Sequence, residues 1–178
     1  MSHALLVDDG FWELLERLLP KRPPQRTGRP RVSDRAAFTA IVFVLVTGVP
    51  WRMVPREIGC SGVTAWRRLR DWQAAGVWER LHRELLRRLN AAGQIDWSRG
   101  VVDSSQIRAL RGALTGPSPV DRARTGTKHH LICDAAGIPL LATHTGANRN
   151  DVTSCCRWST ASARWRASPA DRAGARTG

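Results

Sequence analysis

Apolar residues at Phe11, Leu14, Leu15, Leu18 and Leu19 return at helical spacing. They predict a short amphipathic helix ending at Pro20, with Asp8 and Asp9 capping its first turn and complementing its dipole. The next stretch, Lys21 to Arg31, reads KRPPQRTGRPR. Its proline, glycine and arginine content predicts an extended basic loop. Ser33 then introduces Ala36 to Val46, whose apolar residues lie all round a helix, the pattern of a central core helix; Gly48 and Pro50 end it.

Trp51 to Ile58 predicts a short helix, Gly59 to Gly62 a tight turn, and Val63 to Ala75 a longer helix. That order is a helix-turn-helix pattern. In the longer helix Val63, Trp66, Leu69 and Trp72 recur every three residues and are expected to face the core, leaving Thr64, Arg67, Arg68 and Asp71 outside. Val77 to Ala92 predicts a further amphipathic helix, with Trp78, Leu81, Leu85 and Leu89 inward, Arg80, Arg83, Arg87 and Arg88 outward, and Gly93 as its stop.

After Gln94 the pattern changes. Gly100 to Ala109, GVVDSSQIRA, carries β-favouring Val101, Val102 and Ile107 around an acid, Asp103. A segment rich in glycine and proline, Leu110 to Gly126, is expected to be flexible. Lys128 to Asp134 and Ile138 to Thr145 predict an antiparallel hairpin turning at Asp134 to Gly137, with Pro139 tolerated only near the start of its strand.

Charge narrows the partners. The 178 residues hold 28 basic and 15 acidic side chains, a net +13 with a pI near 11.5, which favours a polyanion such as nucleic acid. Lys21 and Lys128 are the only lysines, so GC-rich coding accounts for part of this arginine excess. Up to Gln94 the balance is 16 basic minus 9 acidic, or +7. A longest apolar run of eleven residues, Ala36 to Val46, is too short for a membrane span, and no secretory signal opens the chain, so a cytoplasmic protein is expected. Cys60, Cys133, Cys155 and Cys156 lack paired zinc spacing.

Within this frame the candidate DNA contacts are Arg26, Arg29 and Arg31 in the basic loop, and Ser61, Thr64, Arg67 and Arg68 around the longer helix. Arginine can donate two hydrogen bonds to guanine, while hydroxyls reach phosphate or base. A solvated linker and an ordinary helical hairpin are the competing readings of the two segments. Lys128 is a further candidate for phosphate, beside a reading as a packed or surface residue of its strand. His129 and His130 alternate in that strand and cannot readily bind one metal together.

The string DRARTGTKHHLICDAAGIPLLATHTGANRNDVT, from Asp121 to Thr153, and VVDSSQIRALRGA before it resemble insertion-sequence transposases with a DDE catalytic domain. WRMVPREIG followed by TAWRRLRDWQAAGVWERL resembles the N-terminal helical domain of the same group, so the likeness covers about residues 8 to 153. The resemblance implies an α+β chain: a helix-turn-helix-like all-α DNA-binding bundle over 1–94, then an incomplete RNase H-like domain of three strands over 95–153. It also implies DNA partners at the inverted-repeat ends of the element, a possible homo-oligomer, and Mg2+ in the complete family. There two aspartates and a glutamate hold two metal ions, one activating the attacking oxygen and the other stabilising the leaving one. Asp103 matches the first of these acids, both as catalytic residue and as metal ligand. Asp134 falls at a turn position that is not catalytic in the family, and Asp151 reads as a helix cap.

Beyond Thr153 the likeness stops, and residues 154–178 are expected to be disordered. With GC-rich codons, one added base before Ser154 turns Ser154 to Thr160 into Gln-Leu-Leu-Pro-Leu-Val-Asp, an amphipathic continuation. The same frame converts Ser168 to Gly178 into Gln-Pro-Gly-Arg-Pro-Arg-Arg-Arg-Pro-Asp-Gly, a basic linker. A single-base deletion near the Thr153 codon would explain both. The expected activity is then DNA binding without complete catalysis, against a regulator of an intact copy or a helical protein-interaction module as alternatives.

Overall fold

The computed structural model of the chain describes residues 6–23, 27–28, 30–109, 114–119 and 121–149. Arg26, Arg29, Asp151 and the segment 154–178 lie outside them. The chain divides into two compact units, Met1–Leu85 and Leu86–Gly178, so the division falls nine residues before the Gln94 boundary read from the pattern.

In the first unit, α1 spans Asp9–Leu18 and begins at Asp8, whose Oδ1 accepts the N–H of Phe11 at 2.8 Å. The expected cap is therefore in place, satisfying one of the otherwise orphaned amides of the first turn. Helix α2, Asp34–Thr47, starts the same way: Ser33 Oγ accepts from Ala36 N at 3.1 Å, and Gly48 closes the helix at φ +69°. Ala37, Phe38, Ala40, Ile41 and Val44 are buried, but Leu45 and Val46 in the last turn are 67% and 69% exposed. The all-round burial expected of this helix thus fails at its C-terminal turn.

Two 3-10 turns, Trp51–Met53 and Arg56–Ile58, stand where one short helix was expected. Prolines at 50 and 55 explain the interruption, since each opens a turn but cannot donate an amide to a continuing helix. Gly59 then takes φ +75°, and α3 runs Gly62–Ala74. A Cβ on Gly62 would lie 1.8 Å from the carbonyl oxygen of Trp51, so the start of α3 sits directly on the first 3-10 turn and only glycine fits.

The buried face of α3 corrects the three-residue reading. Ala65 and Trp72 are fully buried, whereas Val63 and Trp66, expected in the core, are 61% and 46% exposed. At about 100° per residue a three-residue spacing drifts by roughly 60° at each step, so Val63 and Trp72 end on opposite sides of the helix.

Helix α4, Val77–Ala91, follows the turn at Gly76, whose φ is +66°. Arg80, expected only as an outward charge, donates to Ala75 O at 2.8 Å and to Leu18 O at 3.0 Å, tying together the C-terminal ends of α3 and α1. An aromatic cluster stands within the largely aliphatic core of this unit. Phe38 stacks on Phe11 and Trp78 at 5.8 and 6.2 Å, and Trp72 meets Trp78 edge-on at 5.7 Å.

The second unit carries an antiparallel sheet of four strands: β1 Val101–Arg108, β2 Gly116–Pro117, β3 Thr125–Cys133 and β4 Pro139–Gly146. β3 is central, with β1 along one side and β4 along the other, while β2 pairs with Thr125 and Gly126 at its start. The hairpin β3–β4 is as expected, and Pro139 occupies the first position of its strand. β2 was not expected; it lies in the segment read as flexible, and its two residues are too few to show an alternating pattern.

Asp134 closes the hairpin. Its carboxylate, 1% exposed, accepts backbone N–H bonds from Ala136 at 3.0 Å, Ile138 at 2.7 Å and Asp96 at 2.9 Å. Burial pushes its pKa up, but the three amides outweigh that effect and hold the carboxyl below its ordinary value. Asp134 is therefore a structural residue, fastening the turn to the approach of β1. No helix among the described residues is long and apolar enough to cross a membrane.

Candidate nucleic-acid interface

Helix α3 carries most of the candidate contacts, and its first turn is built locally. Ser61 is the N-cap: its Oγ accepts from Thr64 N at 3.2 Å and lies 3.0 Å from Thr64 Oγ1. Both hydroxyls expected at DNA therefore share a capping role that orients the helix start. Cys60, just before the cap, is buried; desolvation pushes its thiol pKa up against a backbone hydrogen bond from Ala65, so it packs as an apolar group.

The two adjacent arginines part company. Arg67 is exposed and its guanidinium makes no hydrogen bond or ion pair with another described residue. Arg68 folds down instead, its side chain 16% exposed and its Nε 3.3 Å from Asp34 Oδ1. Arg22 Nη1 reaches the same oxygen at 3.3 Å. The contacts are ion pairs without hydrogen-bond alignment, since Asp34 Oδ1 and Arg68 Nε count among the buried polar atoms lacking a hydrogen-bond partner. Asp34 thus links the beginning of the basic loop, the first turn of α2 and the middle of α3.

Sequence reasoning missed Asp34 as an organiser because the acid belongs to a helix start, where dipole complementarity alone accounts for it. It also missed Arg70, which is exposed, lies over the Trp66 ring at 5.4 Å and pairs with Asp71 at 2.8 Å. Its i+4 relation to Trp66 was the available signal. The exposed stripe of α3 is therefore Val63, Trp66, Arg67 and Arg70, opposite the buried Ala65 and Trp72.

Of the loop arginines, Arg31 is exposed and donates to Pro23 O at 3.2 Å, a bond that folds the two ends of the loop toward each other. Lys128 is in the other unit and is only 8% exposed, with Nζ donating to Arg149 O at 3.1 Å. An ammonium so placed serves the sheet, and of the two readings of Lys128 the packed one describes this geometry.

Asp103 lies on β1 opposite Leu131, exposed, with Oδ1 accepting from Ser104 N at 2.8 Å. Strand alternation puts it on one face with Ser105 and with His129, whose ring meets His144 edge-on at 4.6 Å. His130 points the other way, 1% exposed, with Nε2 2.8 Å from Thr145 Oγ1. Among the described residues no three His, Cys, Asp or Glu side chains come together as a metal site. One exposed carboxylate flanked by serine and leucine does not fit a pair of magnesium ions, each of which needs several oxygen ligands.

Residues 7–82 match the family model described as "Putative transposase of IS4/5 family". The chain is also 59% identical over 119 residues to the "Insertion element IS402 uncharacterized 16.2 kDa protein" of Burkholderia cepacia, covering 64% of this chain and 81% of that one. The chain belongs to the IS4/5 transposase family of insertion elements. A second relative, "Putative transposase for insertion sequence element IS402" of the same organism, is 67% identical over 39 residues, 22% of this chain and 18% of the relative. The family match contains all of α1, α2 and α3 and the start of α4, where Trp78 meets Trp72. No solved structure matches the chain.

Proposed function

We propose that this chain is the DNA-binding part of an insertion-element transposase and that it docks on the element's inverted-repeat ends through α3. The observation that carries the reading is the outward face of α3, where Arg67 and Arg70 stand exposed one and two turns beyond the capped first turn. A short element, a glycine turn and a longer helix form the helix-turn-helix order, and the longer helix of such a unit enters the major groove. The basic loop around Arg31 would follow the phosphate backbone, which a net charge of +13 favours through counterion release.

The sheet is read as the opening of an RNase H-like domain of the DDE class. Support comes from the three long antiparallel strands in the order β1, β3, β4, with the acid Asp103 on the first of them. Since the described residues do not assemble a site for magnesium, the chain alone is expected to bind DNA without cutting it.

A band-shift assay with element-end and scrambled duplexes, paired with a nicking assay in magnesium, tests both halves. Tighter binding to the end duplex, a steep fall with salt and no nicking are expected. Equal, weak binding to both duplexes sinks the DNA-binding reading. Robust nicking that Asp103→Ala abolishes sinks the expectation of binding without cutting.

A further inference from the structure

Four exposed side chains on α3, Val63, Trp66, Arg67 and Arg70, fall within a stripe about 100° wide. Two of them are large apolar groups at 61% and 46% exposure, an unusual investment for the solvent face of a helix whose opposite side already holds the core. Val63 belongs to the first turn, the part of a groove-bound helix that reaches the base edges, and Arg67 stands one turn further on the same face.

We propose that Val63 and Arg67 are the base-reading pair of this protein, Arg67 taking a guanine and Val63 the 5-methyl group of a thymine no more than two base pairs away. This rests on the DNA-binding reading above. Side chains four apart on a helix stand about 6 Å from each other. Successive bases of a strand rise about 3.4 Å, so the pair spans one to two steps. A guanidinium with no other hydrogen bond or ion pair among the described residues has its donors available for the N7 and O6 acceptors of guanine. Valine offers no hydrogen bond, and the thymine methyl is the one apolar group the major groove presents. Trp66, with Arg70 over its ring and paired with Asp71, forms a flanking wall. Arg68 takes no part, because Asp34 holds it down.

The test is selection of tight binders by the full chain from a pool of random-sequence duplexes, followed by affinity measurements on the winning duplex and its single-base variants. The winner is expected to contain an essential guanine and a nearby thymine. Arg67→Ala should weaken binding about tenfold or more and erase the guanine preference. Replacing the thymine by uracil, which deletes only its methyl, should cost the natural chain about fourfold and the Val63→Ala variant almost nothing. Both side chains are exposed, so both variants should melt like the natural chain. If no duplex is enriched, the DNA-binding reading itself fails and this inference falls with it. If a duplex is enriched but its base preferences survive in Arg67→Ala and Val63→Ala, the inference fails while the reading stands. If the two variants instead lose self-association in sedimentation with base preferences intact, the stripe is a protein contact and the inference is overturned.

Discussion

The helical unit and the sheet unit bury their residues in different ways. In the helical unit Leu15, Ala37, Ala40, Ala65, Trp72 and Val77 have no measurable exposure, and the aromatic cluster around Phe38 joins α1, α2 and α4. In the sheet unit every residue of β1 is exposed, Val101, Val102 and Ile107 among them at 48%, 52% and 49%. The buried groups of β3 and its turn include Lys128, His130 and Asp134, all polar. A helix satisfies its own backbone and needs one apolar stripe covered, whereas a sheet needs partners along its edges and over its faces. The helical unit meets its own requirement within the described residues, while the sheet is fastened chiefly by hydrogen bonds.

This contrast can be broken by substitution. Trp72→Ala should have the largest effect, removing the central fully buried side chain of the helical unit at a cost of about 3–5 kcal/mol. The readout is loss of helical circular dichroism at a lower temperature, and an unchanged melt would mean the aromatic cluster does not hold the unit together. Asp134→Asn should act on the sheet unit next most strongly. Its Oδ2 accepts from Asp96 N, and an amide nitrogen placed there would confront a donor with a donor.

A pH titration sharpens the same point. The Asp134 carboxyl is held below its ordinary value of 3.8, so its contribution to stability is fully present above that value. It is lost as the pH falls through the lower, folded-state pKa. Acid unfolding of the sheet unit, followed by amide hydrogen exchange of the β3–β4 hairpin, should therefore begin below about pH 4 and flatten in Asp134→Asn. Acid sensitivity unaltered by that substitution would remove Asp134 as the fastening of the turn.

Smaller effects come from the helix start and the arginine clamp. Ser61→Ala should cost about 1 kcal/mol by removing the cap of α3, seen as a modestly lower melting temperature. Asp34→Asn should cost about 1 kcal/mol, because the contacting atoms Asp34 Oδ1 and Arg68 Nε are buried, while neither ion pair to Asp34 is an aligned hydrogen bond. It should also release Arg68 toward solvent, so that binding to any duplex strengthens slightly without a change in base preference. Weaker and less selective binding would instead show that the clamp sets the orientation of α3.

Much of the helical unit could be read from the chain without its fold. Asp8 and Ser33 begin their helices and Gly48 ends one as their local chemistry demands, because a cap needs only the residues of its own turn. The β3–β4 hairpin was legible for a similar reason, its turn chemistry and strand alternation both being local. Asp103 was recognisable as a candidate by its family likeness, while its surroundings were not, since strand neighbours come from distant positions such as Leu131.

What the sequence alone determined is therefore the order of the α-helices and the three long strands, the basic character of the chain and its kinship with insertion-element transposases. The tertiary structure decided which side of α3 is buried, that Arg68 is held by Asp34 while Arg67 stays outside, and that the Lys128 ammonium serves a backbone carbonyl. The physical reason is the same in each case. Periodicity states that a face exists, but only the packing of Trp72 into the aromatic core and the reach of Asp34 across to α3 choose the face left for a partner.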